Sequence, residues 1–598
     1  MKTTGANLLA HVLQEAGIKV VSGIPGHTIF PFAVAVGDQE GLSPFLVRHE
    51  AIAAFAADVY FRVSGDLMAV FTHTLPGTSN LAVGVANAYA DSSAMLVIAG
   101  ETARDAGGRG AYQELARGMD SDVPGFLRHV TKKSWITHNP LQLVEQAYRA
   151  IKIARLGRPG PVALHVYQDV WEQEVEIPDW PTSEGYLIGN AFRPDAADVQ
   201  RAADLLARAK RPLIVAGNGV NLGRAQDALL HLAEGLNAPV ATTVTGKGAF
   251  PENHPLSVGV IGWVGTAAAN WAGREADVVL AVGARLSETA TSSWQPGITF
   301  DFGRTRLIQC DVDPTEIANV FAVDVALIGD ASRALNDLVE ALPVSRRRPE
   351  WEVGIHQAKV QWAEVVAQSA AASGRPLPVG PVVRALREAT VGRPVNIVCD
   401  VGKHHKWVAQ QFETHPGDAV ISSMGAGTMG IGPCGAIGAA LGRPDARTIA
   451  WTGDGGLSMT PFVLPTAAEH QLPILFVTID DGSFGEIVNI QEQKFGRTVF
   501  AQFDGSGKNP GYRLAVDRLS EACGVPARRI ETVDQLSEAL RWADGQSGPA
   551  LLDVVVDRKS RVPSGGGTKL GDIWNHPIYP WVKRPVSIPA GNTEGENL

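Results

Sequence analysis

Short β-branched runs alternate with stretches of helical periodicity along most of the chain. Val20–Gly23, Phe45–Val47, Met68–Thr72, Met95–Gly100 and Pro161–Val166 read as strands, followed later by Pro212–Ala216, Val278–Val282 and Leu307–Asp311. Thr448–Thr452 and Pro473–Ile479 bracket a short helix in a βαβ pattern. Strands that alternate with helices predict an α/β protein with mainly parallel, doubly wound sheets. The rhythm breaks at Glu174–Arg193, where prolines accumulate, and at Arg346–Pro378, which is charged, then Ala-rich, then Pro-containing. Both breaks read as connectors. The expected domains are therefore 1–175, 190–345 and 375–560, with a Gly/Pro-rich tail over 561–598 that carries Trp574, Tyr579 and Trp581. No short repeat is visible; three α/β units of similar size are what duplication of one sheet design leaves.

Composition narrows the class. With 598 residues, an apolar fraction of 45% and a charged fraction of 19%, the chain has material for several large cores. The balance of 52 basic against 62 acidic residues, net −10, argues against a nucleic-acid footprint. Cys310, Cys399, Cys434 and Cys523 stand far apart without a CxxC pairing. They read as buried thiols of a reducing, cytoplasmic compartment rather than a zinc site or disulfide set. Met1–Gly17 has an amphipathic helix pattern and no signal-peptide core, and no apolar run approaches the ~18 residues of a membrane span.

Candidate chemistry concentrates at strand ends. Asp454 follows one predicted strand of the βαβ unit and Asp481 the next, 27 positions on (481 − 454). Loops at the carboxyl ends of neighbouring parallel strands share one crevice. Two carboxylates and a carbonyl such as that of Ser483 suit a hard divalent cation, while Gly453, Gly455 and Gly456 let backbone N–H groups approach phosphate. Taken singly, GDG and DDG are ordinary turns. Glu50, where a strand runs into an alanine-rich helix, is by default a helix-terminal Glu favoured by the macrodipole; its apolar surroundings predict a desolvated carboxyl. His27 and His73 follow two strands whose ends face the same crevice. A lone His is usually structural, but two together suit proton transfer near neutral pH.

The GDG spacing resembles the signature of thiamine diphosphate (ThDP) enzymes, and the resemblance covers about residues 1–560. It implies that Asp454, Asp481 and the Ser483 carbonyl ligate Mg²⁺ beneath the cofactor diphosphate, with Phe484 and Gly485 continuing the segment. That family usually has Asn at the positions of Asp481 and Asp480. Arg48-His-Glu50 with Ala53, Ala57 and Asp58 resembles the segment whose Glu hydrogen-bonds N1′ of the aminopyrimidine and so promotes loss of the thiazolium C2 proton. Pro76-Gly-Thr-Ser-Asn80 resembles the turn into a helix beside the pyrimidine. Gly402-Lys403-His404 resembles a diphosphate-side GQH segment, with Lys403 in place of Gln and able to offset the extra carboxylate. Gly427-Thr-Met429 resembles the segment whose Met wedges between the cofactor rings.

Within the family, Gly100-Glu-Thr, Tyr112-Gln113-Glu114, Val130-Thr-Lys132 and Gly157-Arg-Pro-Gly-Pro161 resemble the acetolactate synthase group, which places Gln113 and Lys132 on the substrate side. Gly26-His27-Thr28 and His73 instead resemble features of cyclohexane-1,2-dione hydrolase and benzoylformate decarboxylase. Gly217-Asn-Gly219 and Gly283-Ala-Arg285 are similar to segments that touch FAD in acetolactate synthases, while Gly262-Trp-Val-Gly265 departs from them. The resemblance thus implies pyrimidine-binding, central and diphosphate-binding domains, in that order. It further implies ThDP and Mg²⁺ with or without FAD, and a homodimer or homotetramer acting on 2-oxo acids, diketones or aldehydes. Decarboxylation, acyloin formation and cleavage of cyclic 1,2-diones all remain open. Two rivals stand beside it. Gly425, Gly427 and Gly430 spell GxGxxG, with Asp445 downstream, as in an NAD or flavin oxidoreductase. A non-catalytic relative that kept the fold is the other.

Overall fold

The computed structural model describes residues 1–113, 123–189, 192–342, 347–503 and 511–567. Three sheets of six parallel strands form, each flanked by helices. Within the first 176 residues the strands are β1 (Lys2–Thr4), β2 (Val20–Gly23), β3 (Ser43–Leu46), β4 (Ala69–His73), β5 (Leu96–Glu101), β6 (Lys133–Thr137), β7 (Val162–Tyr167) and β8 (Glu174–Glu176). The central sheet contains β9 (Pro212–Ala216), β10 (Val240–Thr242), β11 (Ser257–Val260), β12 (Val278–Val282), β13 (Arg306–Asp311) and β14 (Val325–Ile328). The last contains β15 (Val395–Cys399), β16 (Ala419–Ser422), β17 (Arg447–Gly453), β18 (Ile474–Asp480), β19 (Ala527–Ile530) and β20 (Ala550–Val555). The central strands of each sheet are buried on both faces, as their continuous apolar sequences require.

Strand order separates the three sheets into two designs. The first runs β3-β2-β4-β5-β7-β6 and the last β16-β15-β17-β18-β20-β19. Renumbered within their own domains, both read 2-1-3-4-6-5. The central sheet runs β11-β10-β9-β12-β13-β14, the 3-2-1-4-5-6 order of dinucleotide-binding sheets. One design therefore occurs twice rather than three times.

The chain divides into two compact units. One contains Met1–Ala191, Ala370–Gly485 and Phe500–Arg561, and so both sheets of shared order; the other contains the central sheet. In the first unit, the helix Glu50–Ser64 lies against the helix Ile431–Gly442. The two approach closely because one is rich in Ala and the other in Gly: a Cβ on Gly438 would sit 1.9 Å from the Ala56 carbonyl oxygen. In the central unit, Pro349–Ala370 is a helix of 22 residues, inside the stretch expected to be a connector. Trp351 anchors it by donating its indole N–H to the Pro212 carbonyl and stacking on Trp271.

The other expected connector begins as β8, which pairs antiparallel with β1. The helix expected between β17 and β18 is two short helices, Asp454–Met459 and Val463–Glu469, interrupted at Thr460-Pro461 because proline cannot donate in a helix interior. Among the described residues, no helix is long and apolar enough to cross a membrane. Glu114 and the aromatics of the C-terminal tail lie outside the described residues.

Candidate active site

In the first sheet the order reverses between β2 and β4, and their carboxyl ends carry the two histidines. His73 closes β4; its Nδ1 lies 2.8 Å from Thr28 Oγ1 and its Nε2 2.6 Å from Gln113 Oε1. The His27 ring meets it edge-on, with centroids 4.6 Å apart. Burial, and then the neighbouring His73, push the His27 pKa below the usual imidazole value. Gly26 must be glycine, since a Cβ there would lie 2.3 Å from His73 Cγ. The structure thus brings His27, His73 and Gln113 together.

Glu50 opens its helix one strand over, capped by the His49 ring, which accepts from the Ala51 amide. Its Oε2 accepts from Asn80 Nδ2 at 3.0 Å. Gly77 lies close to its other oxygen, a Cβ there falling 3.1 Å from Oε1. The carboxyl is half-buried in the single chain rather than desolvated as expected, because Gly77 and the exposed Asn80, both within the helix Thr74–Ala90, flank it. Lys132 takes no part here. Its ammonium donates to the carbonyls of Ile153, Leu156 and Arg158 and so caps the C-terminal end of the helix Pro140–Arg155.

In the last sheet the equivalent reversal lies between β15 and β17. Asp400 follows β15 and is buried. It accepts from the amide of Gly430 at 2.7 Å and from Thr452 Oγ1 at 3.0 Å, and burial raises its pKa to about 6. Glycine is demanded at Gly456, where a Cβ would lie 1.9 Å from Asp400 Oδ2, and at Gly455, where it would lie 2.8 Å from the Phe484 ring. Internal packing thus accounts for these glycines before any phosphate does. His404 is buried beside Gly453, with Nε2 lacking a hydrogen-bond partner. Burial, His405 and Lys403 lower its pKa to about 3.

Asp454 and Asp481 do converge. The Gly482 amide donates to Asp454 Oδ2 at 3.0 Å, and the pKa of Asp454 is raised to about 8 by burial and by the adjacent Asp480 and Asp481 carboxylates. Such crowding of buried negative charge calls for a cation. Two carboxylates with a carbonyl are the donors Mg²⁺ takes when waters and phosphate oxygens complete its shell. Among the described residues, no cluster of three acidic, His or Cys side chains is placed to hold a metal.

The two departures from Asn carry their own counter-charges. Lys403 Nζ lies 2.6 Å from Asp481 Oδ2, both side chains being buried, and Ser483 Oγ donates to Asp481 Oδ1. Arg513 pairs with Asp480 at 3.0 Å, and Arg529 spans Asp480 and Asp553. Gly485 makes room for the first pair, since a Cβ would fall 2.5 Å from Asp481 Oδ2 and 2.6 Å from Lys403 Cε.

The GxGxxG reading finds no phosphate cradle. The Gly425 amide donates to Asp91 and the Gly430 amide to Asp400, while Asp445 sits in the turn before β17, at the amino end of the sheet. In the central unit, Gly217 and Gly283 follow β9 and β12, where that sheet's order reverses. A Cβ on Gly217 would lie 2.1 Å from the Gly283 carbonyl oxygen, so these glycines are explained by contact between the loops themselves. Asp400, Arg513 and Arg529 escaped the sequence reading. A lone Asp at a strand end or an Arg far downstream carries no spacing signal.

These features define the class. The chain matches the thiamine pyrophosphate enzyme N-terminal TPP-binding domain over residues 3–121, the central domain over 199–338 and the C-terminal TPP-binding domain over 400–554. It is 33% identical to a probable acetolactate synthase large subunit of Methanocaldococcus jannaschii, over 97% of both chains. It is 34% identical to an acetolactate synthase large subunit of Parasynechococcus marenigrum, over 93% of this chain and 88% of the other, and 30% identical to the isozyme 2 large subunit of Escherichia coli, over 93% and 96%. The chain belongs to the acetolactate synthase large-subunit-like family of thiamine diphosphate-dependent enzymes.

Proposed function

We propose that this enzyme is a carboligase of 2-oxo acids, with ThDP held by Mg²⁺, that joins the acyl fragment left after loss of CO₂ to a second carbonyl compound. The observation that carries this reading is Glu50 at the first turn of an alanine-rich helix, oriented by Asn80. ThDP supplies the carbon nucleophile. Glu50 holds a proton against the aminopyrimidine, and Asn80 fixes the carboxyl plane. Asp454, Asp481 and the Ser483 carbonyl hold the cation. Gly402, His404 and Gly453 line the diphosphate side, where a neutral His404 adds no charge, and Gly427 and Met429 shape the groove between the rings.

His27 and His73 hold and move a proton at the substrate carbonyl, and Gln113 orients His73. Half-burial of Glu50 in one chain supports a homodimer or homotetramer in which a neighbouring copy completes the pocket. Four cysteines that form no disulfide among the described residues suit a cytoplasmic setting. FAD, where the central switch point takes it, is structural, since C–C bond formation needs no net redox; yellow colour in the purified protein tests for it.

The functional test supplies ThDP and Mg²⁺ with pyruvate, 2-oxobutyrate, benzoylformate or a cyclic 1,2-dione. Release of CO₂ with appearance of a 2-hydroxy-2-methyl-3-oxo acid from pyruvate is expected. Ring opening of the dione with no 2-oxo acid consumed overturns the reading. His27→Ala and His73→Ala are expected to shift the ratio of ligated product to free aldehyde, and unchanged ratios in both remove them from the site.

A further inference from the structure

Far along the Glu50 helix, a line of buried polar groups runs from the first domain into the last. Asp58 Oδ2 accepts from Asn87 Nδ2 at 2.7 Å, Asn87 Oδ1 accepts from Ser423 Oγ at 2.7 Å, and Ser423 Oγ accepts from the Gly427 amide at 3.2 Å. Asn87 and Ser423 each donate in one direction and accept in the other, with the Gly427 amide as donor at one end and the Asp58 carboxylate as acceptor at the other, so the line has a single polarity. Asp58 and Asn87 are fully buried and Ser423 nearly so. Two further contacts flank it. Arg62 donates to the Ser422 carbonyl at 3.0 Å while pairing with Asp58, and the Gly425 amide donates to Asp91 at 2.8 Å. Gly425 also lies too close to the Ala90 carbonyl for any side chain, a Cβ falling 2.6 Å away.

Three consecutive anchors of the 422–427 segment thus come from the first domain: at the Ser422 carbonyl, the Ser423 hydroxyl and the Gly425 amide. Beyond them Gly427 (φ +65°) and Gly430 (φ +97°) take left-handed conformations that bring the chain back to the helix at Ile431. The loop carrying Met429 is therefore built between a first-domain carboxylate and the Asp400 cap.

We propose that Asp58, Asn87 and Ser423 form a positioning joint through which the first domain dictates the conformation of the third-domain loop that carries Met429. This rests on the reading of Met429 as part of the cofactor groove; the geometry of the joint does not. Ser423 touches no reacting atom, so its effect must pass through the loop. Gly427 itself is exposed, so the Ser423 hydroxyl is what holds its amide against the joint; without that acceptor the amide passes to solvent and the loop loses its anchor.

Ser423→Ala tests it on the full chain, with Ser423→Thr, which keeps the hydroxyl, as the rescue. Without any cofactor, amide hydrogen exchange over 422–430 is expected to speed up about tenfold in S423A and to stay near wild type in S423T. Equal protection in S423A and wild type overturns the joint. With ThDP, Mg²⁺ and pyruvate, kcat in S423A is expected to fall about tenfold with KM within about twofold, accompanied by a changed circular-dichroism band of the bound cofactor. A loosened loop with wild-type kcat and spectrum overturns the positioning role while leaving the functional reading intact. A wild-type chain without ThDP-dependent turnover overturns that reading, and the exchange result still decides the joint.

Discussion

The first and last domains share one strand order yet put opposite chemistry at corresponding places. After the first strand of each comes Gly26-His27 in one and Gly402-Lys403-His404 in the other; after the third comes His73 in one and Gly453-Asp454 in the other. After the second strand, the first domain has Glu50 at a helix start, and the last domain has a glycine-rich loop leading to Ile431. After the fourth come Glu101, held by His165 at 2.7 Å, and the pair Asp480-Asp481. One crevice therefore holds imidazoles, amides and a half-exposed carboxyl, while the other crowds carboxylates that raise Asp454 to about 8. On the function proposed above, the common scaffold separates proton handling in the first crevice from anion anchoring and the cation site in the second.

The sharpest way to break this division is at Glu50. Glu50→Gln keeps the Asn80 contact geometry and removes only the exchangeable proton, so turnover is expected to fall by about three orders of magnitude with an unchanged melting temperature. Steady-state kinetics and circular dichroism on one preparation check it. Turnover within tenfold of wild type would place proton control elsewhere and erase the contrast between the two crevices.

The next test addresses the charge balance of the last domain. Asp481→Asn alone strands the buried Lys403 ammonium, and Lys403→Gln alone strands the carboxylate; each is expected to cost about 3–5 kcal/mol of stability. The double variant Lys403→Gln/Asp481→Asn restores a neutral pair and is expected to lie within about 1 kcal/mol of wild type. Denaturant titration of the four chains gives the coupling energy. Additive losses would mean that the 2.6 Å contact is not what offsets Asp481.

Much of this architecture was legible in the sequence because buried parallel strands are continuous β-branched runs. β2, β9 and β12 match the expected strands end to end, and the other seven expected strands differ by one or two residues at an end, while buried strands such as β15 and β20 are not among those expected. The β6 edge strand, Lys-Ser-Trp-Ile-Thr, escaped because it is half exposed and carries no such run. The helix at 349–370 is hard to tell from a connector in sequence because its apolar residues are spread around it: Trp351, Ile355 and Trp362 are buried while Val353 and Val360 are exposed, which blurs the helical period. At the site, Glu50, Asp454 and Asp481 could be read because local spacing fixes their place on strand ends. Lys403 could be read as a counter-charge to Asp481, 78 positions on (481 − 403), only because it stands where the resembling segment has Gln. The contact of Ser423 with Asn87, across 336 positions, had no such motif, and periodicity conveys nothing over that distance. Lys132 misled for the related reason that its motif position says nothing about the three carbonyls it caps.

The gentlest test separates the two crevices by pH. His404 has a pKa near 3 in the folded chain against about 6.5 when unfolded, because burial disfavours its cation. Between those values the unfolded chain holds a proton that the folded chain lacks, so stability due to this residue is present above about 6.5 and is lost as pH falls toward 3. The slope of that loss is about 1.4 kcal/mol per pH unit. Asp400 acts in the opposite direction between its ordinary value and about 6, since the folded state is the one that binds its proton there. The wild-type curve alone therefore blends both, and the informative quantity is the difference between wild type and His404→Gln. That difference is expected to shrink steadily on acidification from pH 6.5, the variant losing less stability than wild type. His27 is shifted in the same direction but is far less buried, so His27→Gln is expected to show a much shallower version of the trend. Parallel curves for wild type and His404→Gln would mean that the third-domain histidine titrates freely, and that the enclosed, neutral anchoring side inferred for this crevice is open to water.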